Sequence, residues 1–392
     1  MGGQAFAHLQ TDPPIHVPRL SPETYQQVAA TITSKLETLF NRVTIPREAP
    51  GKPDFGDIDF IVEGARDPYD KNILATVKKL LEAEYLVDHS FAIRHPSVPG
   101  AYIQVDVELS PRSGTEDGAA LFEWTKFMKS DADLLQIVGV VHRSLGLTCN
   151  DKGLHVRVEE VQAYNKKKSM IFLTRYPNEA MDFYGYDKAK YYEGFQDEGE
   201  LFDWATNGRW FYWKVYEDRE EVSNDRARMN KRAMFRRFVH DYMPSCGKGT
   251  TGPKKSEEID TDARKANPQR QLVLEEALRT FNKREEYDAL MLEHKTKGVE
   301  DALWLQISNS IPLQDAARGT TLKGLRRWVA FKNGLPYITE QPIAGSQKLK
   351  WTDHITDNTM SDVLTWVAEN REQIRKMEED RANEARNAAL RK

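Results

Sequence analysis

Cysteine is nearly absent: Cys149 and Cys246 are the only two in 392 residues. Two thiols cannot build a disulfide framework or a thiolate zinc site, so the chain reads as one for a reducing compartment, cytoplasmic with the nucleus left open. Long apolar runs are missing too. None approaches the roughly 20 residues that a membrane span needs, and no membrane partner is expected. The opening MGGQAFAHLQTDPP lacks the basic-then-apolar order of a secretory signal. Gly2 would suit N-myristoylation, but Phe6 stands where that motif takes Ser or Thr. Charge of one sign is not in excess. Charged residues make up 30% of the chain yet sum to −4, so any nucleic-acid-binding surface must be local. GKGTTGPKK at 247–255 lacks the P-loop spacing and follows no strand, which excludes that phosphate cradle. No internal repeat is visible.

What is present falls into two stretches of different character. SPETYQQVAATITSKLETLFNRV at 21–43 reads as one amphipathic helix, capped by Ser21, with Tyr25, Val28, Ile32, Leu36 and Leu39 on one face. The turn-rich PREAPGKPDFG leads into DIDFIVEG, whose β-branched and aromatic residues predict a strand. A helix is expected over 71–86, then strands at FAIRHP and AYIQVDVEL, an apolar helix over 131–147, and two further strands of the same sheet at HVRVEE and MIFLT. Past about residue 175 aromatic residues become dense and helical patterns dominate. A basic helix is expected over 226–240, a mobile loop over about 244–269, and helices over 270–297, 314–333 and 359–391, the last of these polar enough to fray. The predicted organisation is a first domain over 1–175 and a mainly helical one over 176–392.

The chemistry concentrates in GKPDFGDIDFIV. Asp57 and Asp59 are two apart, so on a strand they point to one side while Ile58 and Phe60 point into the core. Adjacent carboxylates repel and cost stability unless a cation lies between them. A hard divalent ion, Mg²⁺ or Mn²⁺, takes carboxylate oxygens and keeps positions for phosphate and water. In AYIQVDVEL, Asp106 and Glu108 alternate with Val105 and Val107, and Asp106 is placed to complete a two-metal site. Gly56 permits a close backbone approach, and Gly51 and Lys52 offer backbone N–H groups and an ammonium to phosphates. An ordinary pair of acids on a half-exposed strand is the alternative reading.

GDIDF followed by QVDVEL resembles the DNA-polymerase-β-like nucleotidyltransferase superfamily, and within it a phage-type branch. The branch shares the Gly2-Gly3-x-x-Phe6 segment, the following helix, Gly51-Lys52, Gly56 to Asp59, and Gln104 to Asp106. The resemblance covers about residues 1–170, and more weakly the basic helix. It implies an α+β fold: a nucleotidyltransferase palm with a mixed or antiparallel sheet, followed by a mainly helical domain. It also implies that Asp57 and Asp59 bind both metals, and that Asp106 binds the catalytic one and assists deprotonation of the acceptor. The activity implied is transfer of a nucleoside monophosphate from an NTP, ATP among them, to an acceptor hydroxyl on RNA, a small molecule or a protein. One departure matters. The superfamily's Gly-Ser or Gly-Gly turn is replaced here by Ala49-Pro50-Gly51, so either Gly51 and Lys52 hold the phosphates or triphosphate binding is weakened. The alternative is a catalytically inactive palm acting as a nucleotide- or RNA-binding module.

Other candidates have two readings each. Glu108 is a fourth ligand or, more simply, a solvated acid. His142 and Arg143 reach a nucleotide or sit at the core edge, and Tyr184, Tyr186, Tyr191 and Tyr192 stack a base or pack a hinge. In the basic helix, Arg232 and Arg236 meet a triphosphate or a nucleic-acid backbone, or the helix pairs with the acidic stretches 197–203 and 217–225.

Overall fold

Ser21 starts the first helix as the sequence implies. Its hydroxyl accepts from the Thr24 N–H, Pro22 fills the first turn, and α1 (Pro22–Leu36) buries Tyr25, Val28, Ile32 and Leu36. The helix stops seven residues before the expected end, because Phe40–Thr44 is strand β1, paired antiparallel with β2 (Asp57–Ala65). Sheet pairing satisfies backbone groups that a longer helix would have claimed. The computed structural model describes residues 3–217, 230–246, 268–344, 349–356 and 358–390. The acidic residues 218–225, the start of the basic helix at 226–229 and the expected loop at 247–267 lie outside these.

α2 (Ile73–Leu81) is shorter than the expected 71–86. Glu82, in the left-handed region, ends it, and Tyr85–Val87 forms β3. With β4 (Ser90–Arg94) and β5 (Tyr102–Leu109) a five-stranded sheet forms in the order β1-β2-β5-β4-β3. The β2–β5 pair is parallel and the other pairs are antiparallel, so the sheet is mixed. One face carries Ile58, Phe60, Val62, Val105 and Val107 into a core closed by α1 and α2. On the opposite face Phe6 is 2% exposed and packs with Ala92 and Tyr102. The segment carrying Phe6 is tied down at His16, bridged to Ala101, and at Leu20, bridged to Phe55.

α3 (Glu116–Lys129) and α4 (Leu134–Ser144) follow. The two strands expected to extend the first sheet do not do so. β6 (Leu147–Asn150), β7 (Gly153–Arg157) and β8 (Met170–Thr174) make a separate three-stranded antiparallel sheet. The short connection between β6 and β7 lets these strands pair locally, which costs little loop entropy. Helices dominate the described chain beyond Thr174, so the fold is α+β with a mixed sheet followed by a mainly helical region.

The chain divides into two compact units, Met1–Tyr287 and Asp288–Lys392. In the second, Leu303, Trp304, Ile307, Leu325, Trp351, Val363, Val367 and Ile374 form one core. The helix expected over 359–391 packs along much of its length into this core. Met360–Leu390 is a helix, and Val363, Val367, Ile374 and Glu378 along it are buried. The crossing at Gly324 is tight: a Cβ there would lie 2.6 Å from Ile374 Cγ2. The expected helix 314–333 ends at Trp328, and Val329–Lys332 pairs with Leu335–Ile338. Asn333 and Gly334, both at positive φ, make the turn of this hairpin. Among the described residues no helix is long and apolar enough to cross a membrane.

Candidate active site

The β2–β5 register brings the acids together. Asp57 lies opposite Gln104 and Asp59 opposite Asp106, so three carboxylates share one face at the parallel pair. Asp57, Asp59 and Asp106 are half-buried, while Ile58, Phe60, Val105 and Val107 between them are fully buried. Burial and the neighbouring Asp57 and Asp106 charges push the Asp59 carboxyl up to about 6, with Glu48 adding to the effect and Lys129 opposing it. Burial also raises Asp106, against hydrogen bonds from Ser90 and Gln104 that favour its charged form. Gln104 Nε2 donates to both Asp106 oxygens, at 3.0 and 3.1 Å.

These oxygens are the hard donors that a divalent cation takes, and the crowding of Asp59 by like charge is what such an ion would relieve. As placed, however, no group of three His, Cys, Asp or Glu side chains among the described residues is assembled closely enough to hold a metal ion. Glu108 is engaged by Lys129 from the last turn of α3, which favours the solvated-acid reading.

The glycine-lysine turn lies open beside the site. Gly51 is at φ +66° with no atom within 4 Å of where a Cβ would stand. Lys52 Nζ donates to Glu48 Oε2 at 2.6 Å and sits 4.8 Å from the centre of the Phe55 ring. Tyr25 stacks on Phe55 at 3.9 Å, and its hydroxyl reaches Glu48 at 3.4 Å. Burial and the charges of Glu48, Asp59 and Asp57 push that phenol up. The chain itself comes close to Gly56, and the glycine that permits it is Gly3: a Cβ on Gly3 would fall 2.7 Å from Gly56 O. Glu48, Ser90 and Lys129, together with this N-terminal segment, border the acids. The sequence gives no local sign of them, because they converge from separate elements.

The remaining candidates divide. His142 is buried, stacks on Tyr184 at 3.8 Å, and burial alone lowers it to about 3, so it is a neutral core histidine. Tyr184, Tyr186 and Tyr191 are buried among aromatic rings inside the first unit, as core residues and not at a junction between units, whereas Tyr192 is 59% exposed. Arg143 Nε donates to Gly139 O. In the basic segment, Ala233–Arg237 is α-helical and runs on through Phe238–Tyr242. Arg232 Nη1 meets Asp133 Oδ1 at 2.7 Å, and Arg237 Nε meets Glu198 Oε2 at 2.6 Å. Tyr242 donates to Asp203. The pairing with 197–203 thus exists, through Arg237 and Tyr242. Arg236 has no ion-pair partner among the described residues.

No protein-family model matches the chain, and no curated protein matches it. Among solved structures, a similar one is that of polymerase beta from Leishmania infantum in a ternary P/T complex. It has a TM-score of 0.30 and 13% identity, and the match covers 42% of this chain and 72% of that one.

Proposed function

We infer that the chain is a metal-dependent nucleotidyltransferase, moving a nucleoside monophosphate from an NTP to an acceptor hydroxyl on RNA, a small molecule or a protein. The observation that carries this reading is the Asp59–Asp106 register with Asp57 on the same face. GDIDF and QVDVEL support membership of the polymerase-β-like superfamily and its phage-type branch, with the palm in the first of the two compact units. Asp57, Asp59 and Asp106 would hold Mg²⁺ or Mn²⁺. When bound, the ions supply charge for the triphosphate and lower the pKa of the attacking hydroxyl. Gln104 Nε2 donates to both Asp106 oxygens, which would orient that carboxylate to accept the acceptor's proton. Gly51, Gly56 and Lys52 lie at the strand's entrance, and for Lys52 to reach a phosphate it must leave Glu48. Arg236 is the freer of the two arginines to meet an NTP, since Arg232 is tied to Asp133.

The inactive, ligand-binding module is favoured by one observation: Lys52 is already satisfied by Glu48, and the three acids do not form a ready-made cage. Pyrophosphate release separates the two readings. Each of the four NTPs is offered with Mg²⁺ or Mn²⁺, an RNA pool and small-molecule hydroxyls, with self-modification followed in parallel. Release with at least one NTP, together with a melting temperature raised more by metal plus NTP than by either alone, is the expected result. No release with any combination overturns the enzyme reading.

A further inference from the structure

The face of the sheet that carries the acids is partly roofed by the chain's own N-terminal segment, and one side chain joins the two. Gln104 is 4% exposed. Its Oε1 accepts from the Ala5 backbone N–H at 3.0 Å, a contact between residues 99 apart in sequence. An amide has one acceptor end and one donor end. With Oε1 committed to Ala5, Nε2 must face Asp106, and it donates to both carboxylate oxygens. A flipped amide would set Oε1 against the carboxylate and leave the Ala5 N–H without its acceptor.

We propose that Gln104 is a positioning residue through which the N-terminal segment fixes the orientation of Asp106, so that segment docking and divalent-cation binding are one coupled event. The proposal rests on the metal site named above. The seat of the segment is built for it. Gly3, at φ +79°, lies so close to the residue before β2 that a Cβ would come 2.7 Å from Gly56 O and 3.2 Å from Val17 Cγ1. Phe6 is buried beside Tyr102 and Ala92. Asp106 is therefore aimed by a segment that itself contributes no acid.

Two variants test this in the full chain, with Mn²⁺ as the probe. Gln104→Met keeps the side chain's length and removes both ends of the link. Gly3→Ala touches neither Gln104 nor an acid but unseats the segment. Mn²⁺ affinity is measured by titration, amide exchange at Ala5 by mass spectrometry or NMR, and folding by the melting curve. Outer-shell partners of metal ligands are typically worth about 10- to 100-fold in affinity. Both variants are expected to lose Mn²⁺ affinity in that range, to exchange Ala5 N–H faster, and to melt cooperatively. If the wild type binds Mn²⁺ and Gln104→Met binds it equally well, the positioning role is overturned while the metal site stands. If Ala5 exchange is unchanged in Gln104→Met, the link itself is overturned. Should the wild type bind no Mn²⁺, the metal site and its positioning fall together, and unchanged affinity in Gly3→Ala alone removes the segment from the proposal.

Discussion

Two acids of this molecule meet burial in opposite ways. Glu378, 3% exposed in the second unit, is answered from several sides: Arg381 and Trp328 Nε1 donate to it, and Arg327 lies at 3.0 Å. Burial pushes its carboxyl up, but those hydrogen bonds and charges outweigh it, and the group ends below its ordinary value. Asp59 in the first unit faces Asp57, Asp106 and Glu48, with Lys129 in partial opposition, and is driven up to about 6. A carboxylate supplied with its own cations holds a fold together. One surrounded by acids is held in place by the fold at a cost, which a bound cation would relieve. That difference is what motivates the proposed site.

The largest expected effect tests the uncompensated side. Asp59→Asn should lower nucleotidyl transfer by about 10³-fold or more, since it removes several kcal/mol of metal-borne charge stabilisation. It should also make the metal-free protein more stable at pH 7.5. The folded carboxyl titrates near 6 and its ordinary value is 3.8. A raised acid favours folding below its unfolded pKa and loses that contribution as pH rises through the folded one. The variant's gain is therefore largest above pH 6, up to about 3 kcal/mol at 1.36 per unit, and fades as pH falls toward 4. Melting curves of both proteins across pH check it. Equal stability at every pH would erase the contrast with Glu378.

Glu378→Leu should act with the opposite sign and leave transfer chemistry intact. It strands Arg327 and Arg381, whose side chains are 40% and 33% exposed and so partly recover water. A loss of about 2–3 kcal/mol is expected, below the range for fully buried pairs. The depressed acid stabilises above its unfolded pKa and stops doing so as pH falls through the folded one, so the loss should shrink in acid. A variant as stable as wild type at pH 7 would show that the cationic cage contributes nothing net.

A smaller effect separates the two arginines. Arg232→Glu sets an acid against Asp133, whose side chain is 10% exposed and also accepts from the Phe235 N–H, and should cost about 1–2 kcal/mol. Arg236→Glu should leave the melting temperature unchanged and weaken NTP binding. A variant at 236 that melts early and binds NTP normally would remove that residue from the site. If RNA is the acceptor, its binding should also show a shallower salt dependence in this variant.

The smallest effect concerns His142. Its ring is neutral and stacked, so His142→Phe should change stability at pH 7 by less than about 1.5 kcal/mol. Its folded pKa is depressed to about 3, below the ordinary 6.5, so stability is lost as pH falls below 6.5. The Phe variant should gain on wild type between pH 7 and 5, where Asp59→Asn loses ground. Only variant-minus-wild-type curves keep these opposed trends apart.

How far the molecule was legible follows from the range of each interaction. The alternation in DIDFIVEG and YIQVDVEL is local, and both strands and their acid-bearing faces appear where it puts them. The α+β class follows from the same periodicities. β1 and β3 were hidden inside helical patterns, because five- and three-residue strands exist by virtue of their partners more than their composition. The hairpin at Asn333-Gly334 did carry a local signal, a two-residue Asn-Gly turn, although the helical pattern over 314–333 runs across it. The last helix reads as polar because its buried positions are widely spaced and one of them is Glu378.

By itself, then, the sequence determined which residues bear the charge and which side of a strand they occupy, since side-chain direction repeats every two residues whatever surrounds it. Only the tertiary structure decided that Asp59 stands opposite Asp106, that Glu48 and Lys129 border them, and that Ala5 reaches Gln104. Those contacts join residues from about ten to about a hundred positions apart. Their energies depend on burial and on the sign of neighbouring charge, and neither exists until the chain has closed on itself.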